Sequence, residues 1–333
     1  MTMKIFCDDG STSTKLAYFQ NNELVKVISD TSFNAGNWNF AYGKNIFNYE
    51  INGKKYSFND ALSDTSETTN IDYQYSDENL AAVHHALLQT GLKPCEIDLF
   101  VTLPLCEFFD ENRQKNNKNI ERKKANLLRE IKYHNGESFI DTFKIKNVNV
   151  SPESLTALYD VFDKHKVSDF ETSLIIDLGG TTLDCGVVSG NFKQLVNVIA
   201  EPTLGTSFVT NRAKKIVKYE TNLGLSYSTA NNLVMSVFND DYDLLNAITG
   251  EEDTIKTKKI ISEIISALDE LSIRVINKLK TLDEFQRIYL IGGGAYFIHE
   301  KIKSEFSQLG NKIFLVPDSQ TALVESIAKM VGE

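Results

Sequence analysis

The stretch Leu174–Val188, LIIDLGGTTLDCGVV, places an Asp, a pair of glycines and a pair of threonines between two apolar runs. Apolar runs separated by a short glycine-containing turn predict a β-hairpin. The stretch Lys4–Phe19, KIFCDDGSTSTKLAYF, repeats the same order of apolar run, Asp, Gly, small hydroxyl residues and second apolar run. The repeat indicates that the protein contains two related halves.

The rest of the chain alternates between strand and helix patterns, which predicts an α/β protein. Asn52-Gly53 lies between alternating runs and predicts another hairpin. Ser76 is the predicted cap of a helix that Gly91 ends, and residues 96–105 predict a buried strand. Residues 254–282 predict a long helix with an apolar stripe. The predicted stripe consists of Ile261, Ile264, Ile265, Leu268 and Leu271.

Length, charge and cysteine content limit the possible functions. A chain of 333 residues is long for one compact core, so two lobes are expected. A net charge of −10 argues against direct binding to nucleic acid, which needs clustered cations. Four scattered cysteines without metal-ligand spacing favour a reducing cytoplasm. The early acidic pair Asp8-Asp9 argues against a signal peptide, and the sequence has no apolar run of membrane-spanning length.

The two repeated turns have the composition of phosphate-binding loops. Gly, Ser and Thr leave backbone N–H groups accessible and add hydroxyl donors. An Asp at the end of the preceding strand suits a hydrated Mg²⁺, which binds few carboxylates directly. Either turn alone is typical of an ordinary tight turn, whereas two copies in separate halves predict a shared polyphosphate site.

Adjacent residues on a strand point to opposite faces, so only one of Asp8 and Asp9 faces such a site. Asp8 is the better candidate, because Asp8 and Asp177 each precede one residue and then a Gly. Lys15 is a candidate phosphate-binding cation, and an ordinary exposed strand lysine is the alternative.

Two further segments have both a structural and a functional interpretation. IGGGA, Ile291–Ala295, follows an apolar strand and suits either the close approach of a ribose or base, or a plain helix entry. In SPES, Ser151 and Pro152 match an N-cap and the first helical residue, and Glu153 suits the helix dipole. Alternatively, Glu153 orients a water for attack on a terminal phosphate.

Two other motifs favour structural interpretations. The basic run NIERKKANLLRE is typical of a solvated helix face. His84-His85 predict an ordinary helix with one histidine packed, because further metal ligands are lacking.

In order, DDGSTSTK, SPESLTALY, IIDLGGTTLD, LIGGGA and a helix beginning near Ser319 resemble the five nucleotide-binding elements of the actin-like ATPase superfamily. Within it, the chain resembles the ParM (StbA) plasmid-segregation family, notably at FNYEINGKKYSF, VTLPLCEFFD and NIERKKAN. The likeness covers about the first two-thirds of the chain and 287–300, and it weakens between about 217 and 285.

The resemblance implies an actin-like fold of two duplicated ribonuclease-H-like domains with mixed sheets around a central nucleotide cleft. The implied domains are 1–170, with a smaller subdomain at about 33–95, and 171–333, with one at about 217–283. A C-terminal helix near 319–331 would pack back on the first domain.

The resemblance also implies the site residues for ATP or GTP and Mg²⁺. Glu153 and Asp177 would be catalytic, and Asp8 and Asp177 would hold Mg²⁺ through water. The implied nucleotide-binding residues are Asp8, Gly10, Ser11, Thr12, Lys15, Gly179, Gly180, Thr181, Thr182, Gly292, Gly293 and Gly294.

The implied function is a cytoplasmic bacterial nucleoside triphosphatase that forms dynamic filaments and segregates plasmid DNA. Its partners would be further copies of itself and a ParR-like DNA-binding adaptor, so DNA would be bound only indirectly, and no membrane would be involved. The alternatives are a small-molecule, sugar-type kinase of the same fold and a chaperone or non-polymerising regulator.

Overall fold

A computed structural model describes residues 2–40, 47–58, 68, 70–191, 193–250, 255–282 and 285–332. Residue 254, the predicted start of the long helix, and parts of the two predicted subdomains lie outside the described residues. In the described part, no helix has the length and hydropathy needed to cross a membrane.

The described chain alternates strands and helices, as the sequence predicts. The strands are β1 (Met3–Asp9), β2 (Ser13–Gln20), β3 (Glu23–Asp30), β4 (Phe33–Ala35), β5 (Asn48–Ile51), β6 (Lys54–Phe58), β7 (Glu96–Leu103), β8 (Lys132–His134), β9 (Phe139–Ile140), β10 (Lys144–Pro152), β11 (Thr172–Leu178), β12 (Leu183–Ser189), β13 (Gln194–Glu201), β14 (Arg287–Ile291) and β15 (Ile313–Leu315). The α-helices are α1 (Asp77–Gln89), α2 (Leu105–Phe108), α3 (Asn117–Leu127), α4 (Tyr159–Lys164), α5 (Ser207–Thr221), α6 (Tyr227–Phe238), α7 (Asp243–Thr249), α8 (Ile255–Leu279), α9 (Ala295–Glu305) and α10 (Ala322–Gly332). Short 3₁₀ turns occupy Ile71–Tyr75, Thr156–Leu158 and Ser307–Leu309.

Two five-stranded sheets have the same topology, one in each half of the chain. The first has the order β10-β7-β1-β2-β3 and the second the order β15-β14-β11-β12-β13. In each, the first three strands in chain order are antiparallel, and two later strands add in parallel beside the first. The repeated hairpins therefore begin two duplicated mixed sheets.

A third sheet has the order β4-β6-β5-β8-β9. Its β5–β6 hairpin turns at Asn52-Gly53, as predicted, and both residues have positive φ. Its β8 and β9 strands come from 132–140, outside the 33–95 segment expected for the subdomain.

The central strands β1 and β11 are buried on both faces. In β1, Ile5 and Cys7 lie in the core of the first lobe, whereas Phe6 points into a core shared by the two lobes. In β11, Leu174 and Ile176 belong to the core of the second lobe, and Ile175 points into the shared core. Since side chains alternate along a strand, each apolar run contributes to two cores.

The shared core is completed by α10. Leu323, Val324 and Ile327 of this helix lie in it, and Ser326 Oγ donates to Ala157 O at 3.0 Å. Lys4 Nζ on β1 donates to Val331 O at 2.8 Å. The last helix therefore returns to the first lobe and joins both halves.

The predicted helices α1 and α8 both form, and the buried face of α8 differs from the prediction at one residue. α1 begins after Ser76, whose Oγ accepts from Asn79 N at 3.1 Å. In α8, Ile264, Leu268 and Leu271 are buried, but the predicted core residue Ile265 is 45% exposed. The prediction for Ile265 is wrong because the core-facing stripe continues through Ile260, Ala267 and Val275 instead.

Both His84 and His85 are buried, although only one was expected to be packed. His84 Nδ1 lies 3.1 Å from Thr142 Oγ1, and His85 Nδ1 lies 2.9 Å from Tyr49 OH. Burial lowers the pKa of His84 to about 4 and the pKa of His85 to about 3. Both imidazoles are therefore neutral in the folded protein at neutral pH.

We expect these histidines to make the fold acid-sensitive. The unfolded chain takes up protons on these histidines near pH 6.5, whereas the folded chain does not until much lower pH. The two histidines therefore contribute their full stabilisation above pH 6.5, and this stabilisation decreases as the pH drops below 6.5. Each should remove about 2 kcal/mol of unfolding free energy between pH 7 and 5. Urea unfolding at pH 7 and 5 should show a smaller acid loss for H84Q than for the wild type. The control H134Q, at a half-buried histidine of β8, should retain the full loss; an unchanged loss in H84Q would contradict the prediction.

Candidate functional site

The two repeated loops contact each other between the lobes. Ser11 Oγ of the first loop and Thr181 Oγ1 of the second are in hydrogen-bond contact. A Cβ added to Gly180 would overlap the Thr12 side chain. Position 180 therefore requires glycine, because the other loop approaches its backbone too closely for a side chain.

The loops form the floor of a cleft of about 310 Å³. Of the predicted site residues, all but one line it: Asp8, Gly10, Ser11, Thr12, Lys15, Glu153, Asp177, Gly179, Gly180, Thr181, Thr182, Gly292 and Gly293. Gly294 is the exception among them. The structure thus gathers residues from four distant segments around one cavity of the size that holds a small ligand.

The first loop has a charge pair at its base. Asp8 on β1 is the cross-strand partner of Lys15 on β2, and Lys15 Nζ lies 3.1 Å from Asp8 Oδ2. Thr31 N donates to Thr12 O at 3.1 Å and fixes the loop backbone. Asp9 points to the opposite face of β1 and is buried in the first lobe.

The second loop has a different pair at the same position. Asp177 on β11 is the cross-strand partner of Asp184 on β12, so the place of Lys15 is taken by a second acid. Burial, together with the charges of Asp184 and Asp8, raises the pKa of Asp177 to about 7. Burial raises the pKa of Asp184 to about 6. Asp184, which sequence reasoning missed, lies seven residues after Asp177 within the quoted motif.

Glu153 enters the same acidic cluster from the first lobe. It accepts a hydrogen bond of 3.4 Å from Thr102 Oγ1. Burial, followed by the charges of Asp8 and Asp184, raises the pKa of Glu153 well above its ordinary value. Such a concentration of carboxyl groups is more stable when a cation is bound nearby.

The donor set fits a hydrated Mg²⁺. Asp184 Oδ1 is buried without a hydrogen-bond partner, and Asp8 and Asp177 line the cleft. Within the described ranges, no three His, Cys, Asp or Glu side chains converge closely enough to hold a metal ion by themselves. The two cleft carboxylates of Asp8 and Asp177 suit an ion that takes few carboxylates and keeps most of its waters.

The predicted N-cap at SPES is wrong. β10 continues through Ser151 and Pro152, and Glu153 N still donates to Leu103 O at 2.8 Å. Ser154 then turns the chain with φ of 63° before the 3₁₀ turn begins. In this conformation Ser154 Oγ donates to Asp177 Oδ2 at 3.2 Å, a contact between the two lobes. β10 continues where a helix N-cap was expected, because its parallel pairing with β7 extends to the end of both strands.

The three glycines of IGGGA differ in the space around their Cα atoms. Gly292 has φ of 86°, and a Cβ there would overlap Asp177. Gly294 N donates to Leu178 O at 2.8 Å, and a Cβ there would overlap Thr206 and Leu178. A Cβ on Gly293 would meet nothing nearer than 3.9 Å. Gly293 therefore offers bare backbone to the cleft, whereas Gly294 serves packing.

One wall of the cleft comes from about 217–285, where the resemblance implies part of the base-binding side without naming residues. On α6, the residues that line it are Tyr227, Ser228, Asn231, Asn232 and Met235. Ser228 Oγ donates to Asp30 Oδ2 at the end of β3, which connects the lobes on this side of the cleft. These residues follow no recognisable motif, so only the packing of α6 against α5 and α8 brings them to the site.

The contact between the loops predicts different effects for neighbouring glycines. G180A should separate the loops and lower the unfolding free energy by about 1–3 kcal/mol, because the added methyl overlaps Thr12. G179A should cost less, since its methyl would meet only atoms at 3.5 Å or beyond. Denaturant unfolding of both variants measures the difference. Equal destabilisation would show that the loops do not pack as described.

Family comparison covers nearly the whole chain. Residues 3–164 match the model described as plasmid segregation protein ParM, N-terminal, and residues 167–330 match the model described as plasmid segregation protein ParM, C-terminal. No curated protein matches the chain in a sequence search.

Solved structures share the fold at low sequence identity. A non-polymerisable quadruple mutant of pCBH ParM has a TM-score of 0.71 at 19% identity, covering 99% of both chains. A 15-stranded ParM filament from Clostridium botulinum has a TM-score of 0.69 at 18% identity, covering 99% of this chain and 98% of that one. The archaeal actin homologue Ta0583 in complex with ADP has a TM-score of 0.67 at 13% identity, covering 99% of each. With two duplicated sheets around one cleft and both family models matched, this chain belongs to the ParM family of actin-like plasmid-segregation proteins.

Proposed function

We propose that this chain is a nucleoside triphosphatase whose filaments grow with bound nucleotide and shorten after hydrolysis. The observation that carries the proposal is the meeting of two Gly/Ser/Thr loops, one from each lobe, in one acidic cleft. A triphosphate held by both loops would make the angle between the lobes depend on its presence.

The residues of each loop have defined roles in this proposal. Backbone N–H groups and hydroxyls of Gly10–Thr12 and Gly179–Thr182 would hold the phosphates, and Lys15 would add a positive charge. Asp8 and Asp177 would hold Mg²⁺ through water. When bound, Mg²⁺ supplies the positive charge that the carboxylates and phosphates together lack.

Glu153 would position the attacking water. The water oxygen bonds to the terminal phosphorus as the bond to the bridging oxygen breaks, the water protons stay on the inorganic phosphate that is formed, and the other product is a nucleoside diphosphate. Burial and the nearby acids raise the pKa of Glu153, and a cation held among these carboxylates would favour the ionised form, which accepts a hydrogen bond from the water. Hydrolysis then removes the group that both loops hold.

The nucleoside would lie between α6 and the IGGGA turn. Gly293 presents backbone there, and Asn231, Asn232 and Gln320 bring amide groups that recognise either purine. We therefore propose ATP or GTP as the nucleotide.

The family supplies the wider setting of the proposal. A filament is described for ParM from Clostridium botulinum, and we propose the same kind of self-assembly here, with a ParR-like adaptor between the filament and plasmid DNA in the bacterial cytoplasm. The net charge of −10 supports indirect contact with DNA. Membership of a plasmid-segregation family favours this function over a sugar-type kinase.

Pelleting with ATP, GTP and non-hydrolysable analogues tests the assembly. We expect nucleotide-dependent sedimentation that is longer-lived with an analogue. A protein that never pellets under these conditions, or that transfers phosphate to sugars, would contradict the proposal.

The role of Glu153 predicts a separation of binding from hydrolysis. E153A should bind nucleotide within about threefold of the wild type, release phosphate about 10²–10³ times more slowly and form longer-lived filaments. E111A, at an exposed acid outside the cleft, is the control. Normal phosphate release by E153A would refute the assigned role.

Asp177 should instead affect binding. D177A removes a carboxylate from the proposed Mg²⁺ side, so the gain in nucleotide affinity on adding Mg²⁺ should shrink about tenfold or more. Titrations with Mg²⁺ and with EDTA measure this gain. A variant with the full Mg²⁺ dependence would contradict the assignment.

A further inference from the structure

Lys123 is buried although it lies within the basic run NIERKKANLLRE, where the sequence predicts a solvated helix face. Its side chain is 0% exposed. The neighbouring Lys124 on α3 is 32% exposed and lies 2.8 Å from Glu121, as that prediction implies. The prediction is therefore wrong for Lys123, because α3 packs that side chain towards β1.

The Lys123 ammonium is held by acceptors from three elements. It forms an ion pair with Asp9 Oδ2 on β1. It also donates to Gln74 O at 3.1 Å, to Gln74 Oε1 at 2.5 Å and to Asn79 Oδ1 on α1 at 3.2 Å. Gln74 lines the cleft, so the same ammonium connects the cleft wall to the end of β1.

Asp9 is the residue directly after Asp8. It is 0% exposed, and Asn79 Nδ2 donates to its Oδ2 at 2.7 Å. In the part of the chain that the structure describes, its carboxylate forms an ion pair with Lys123 alone, and its Oδ1 has no hydrogen-bond partner. Without Lys123, Asp9 would be an uncompensated buried charge beside the first phosphate loop.

The first loop thus has two carboxylates on opposite faces of one strand, each with its own lysine. Asp8 is paired with Lys15 inside the cleft, and Asp9 with Lys123 behind it. A buried ion pair adds little net stability compared with an apolar pair of similar volume. The Asp9–Lys123 pair has a more specific consequence. Together with the Asp8–Lys15 pair, it leaves the four charges around the first loop balanced where a polyphosphate would bind.

We propose that Lys123 is a positioning residue for the nucleotide: it cancels the charge of Asp9 and ties the end of β1 to the cleft wall. This inference depends on the proposed function, because it assumes a bound nucleoside triphosphate. The proposed effect of Lys123 on nucleotide affinity is electrostatic. Each variant should therefore weaken or strengthen binding according to whether a negative or a positive charge remains behind the first loop.

Four variants separate charge from structure. K123Q leaves Asp9 uncompensated, D9N leaves Lys123 uncompensated, and D9N/K123Q restores neutrality with polar groups that retain hydrogen bonds. K124Q removes the same charge from the exposed neighbour on α3. The measurements are the dissociation constants of fluorescent ATP and GTP analogues with Mg²⁺, at low and high ionic strength, and the unfolding temperature of each variant.

We expect K123Q to bind nucleotide roughly tenfold more weakly, because the uncompensated Asp9 carboxylate behind the first loop would repel the phosphates. D9N should bind at least as tightly as the wild type, although it is less stable. The double variant should return to within about threefold of the wild type, and K124Q should remain there. A shared fold defect would instead weaken binding in D9N as well as in K123Q.

Weaker binding by D9N, wild-type affinity in K123Q or a folded double variant that stays weak would each overturn the inference. Should K123Q fail to fold, the comparison of D9N with the double variant decides, because the extra positive charge should make D9N the tighter binder. A wild-type protein that binds neither nucleotide would contradict the proposed function instead. The two failures are therefore distinguishable.

Discussion

The contact between the two repeated loops is the constraint on which the rest of the molecule depends. Ser11 meets Thr181, and Thr12 occupies the space that a side chain on Gly180 would need. Each loop is fixed from behind, the first by Thr31 and the second by α5, where Ser207 N donates to Gly180 O at 2.8 Å. A change in the separation of the loops is therefore transmitted to both lobes.

The charges around this contact are unequal in the two halves. Equivalent cross-strand positions hold Asp8 with Lys15 in the first half and Asp177 with Asp184 in the second. Glu153 adds a further acid, and burial raises its pKa and that of Asp177. Only the Asp8–Lys15 pair is balanced, so the two acids of the second loop and Glu153 of the first lobe leave the cleft with excess negative charge that suits a bound cation.

The core shared by the lobes explains how they remain associated while the cleft changes. Phe6 of β1 and Ile175 of β11 enter it from the two sheets, and α10 fills the space between them. Outside the apolar shared core, the lobes also meet through polar contacts such as Ser154 with Asp177 and Ser228 with Asp30. Apolar packing is costly to separate, whereas single hydrogen bonds contribute about 1 kcal/mol each. Movement should therefore occur at the cleft and pivot on the shared core.

The sequence alone determined the features that depend on local spacing. Alternation along a strand distinguished Asp8 from Asp9, and the repeated turns indicated two halves with one shared cleft. Only the tertiary structure decided which lysine of a basic run is buried, that β10 continues through Ser151, and which residues of α6 line the cleft. The reason is physical: turns and alternation arise between near neighbours, whereas the burial of Lys123 depends on Asp9, Gln74 and Asn79, which come from distant parts of the chain.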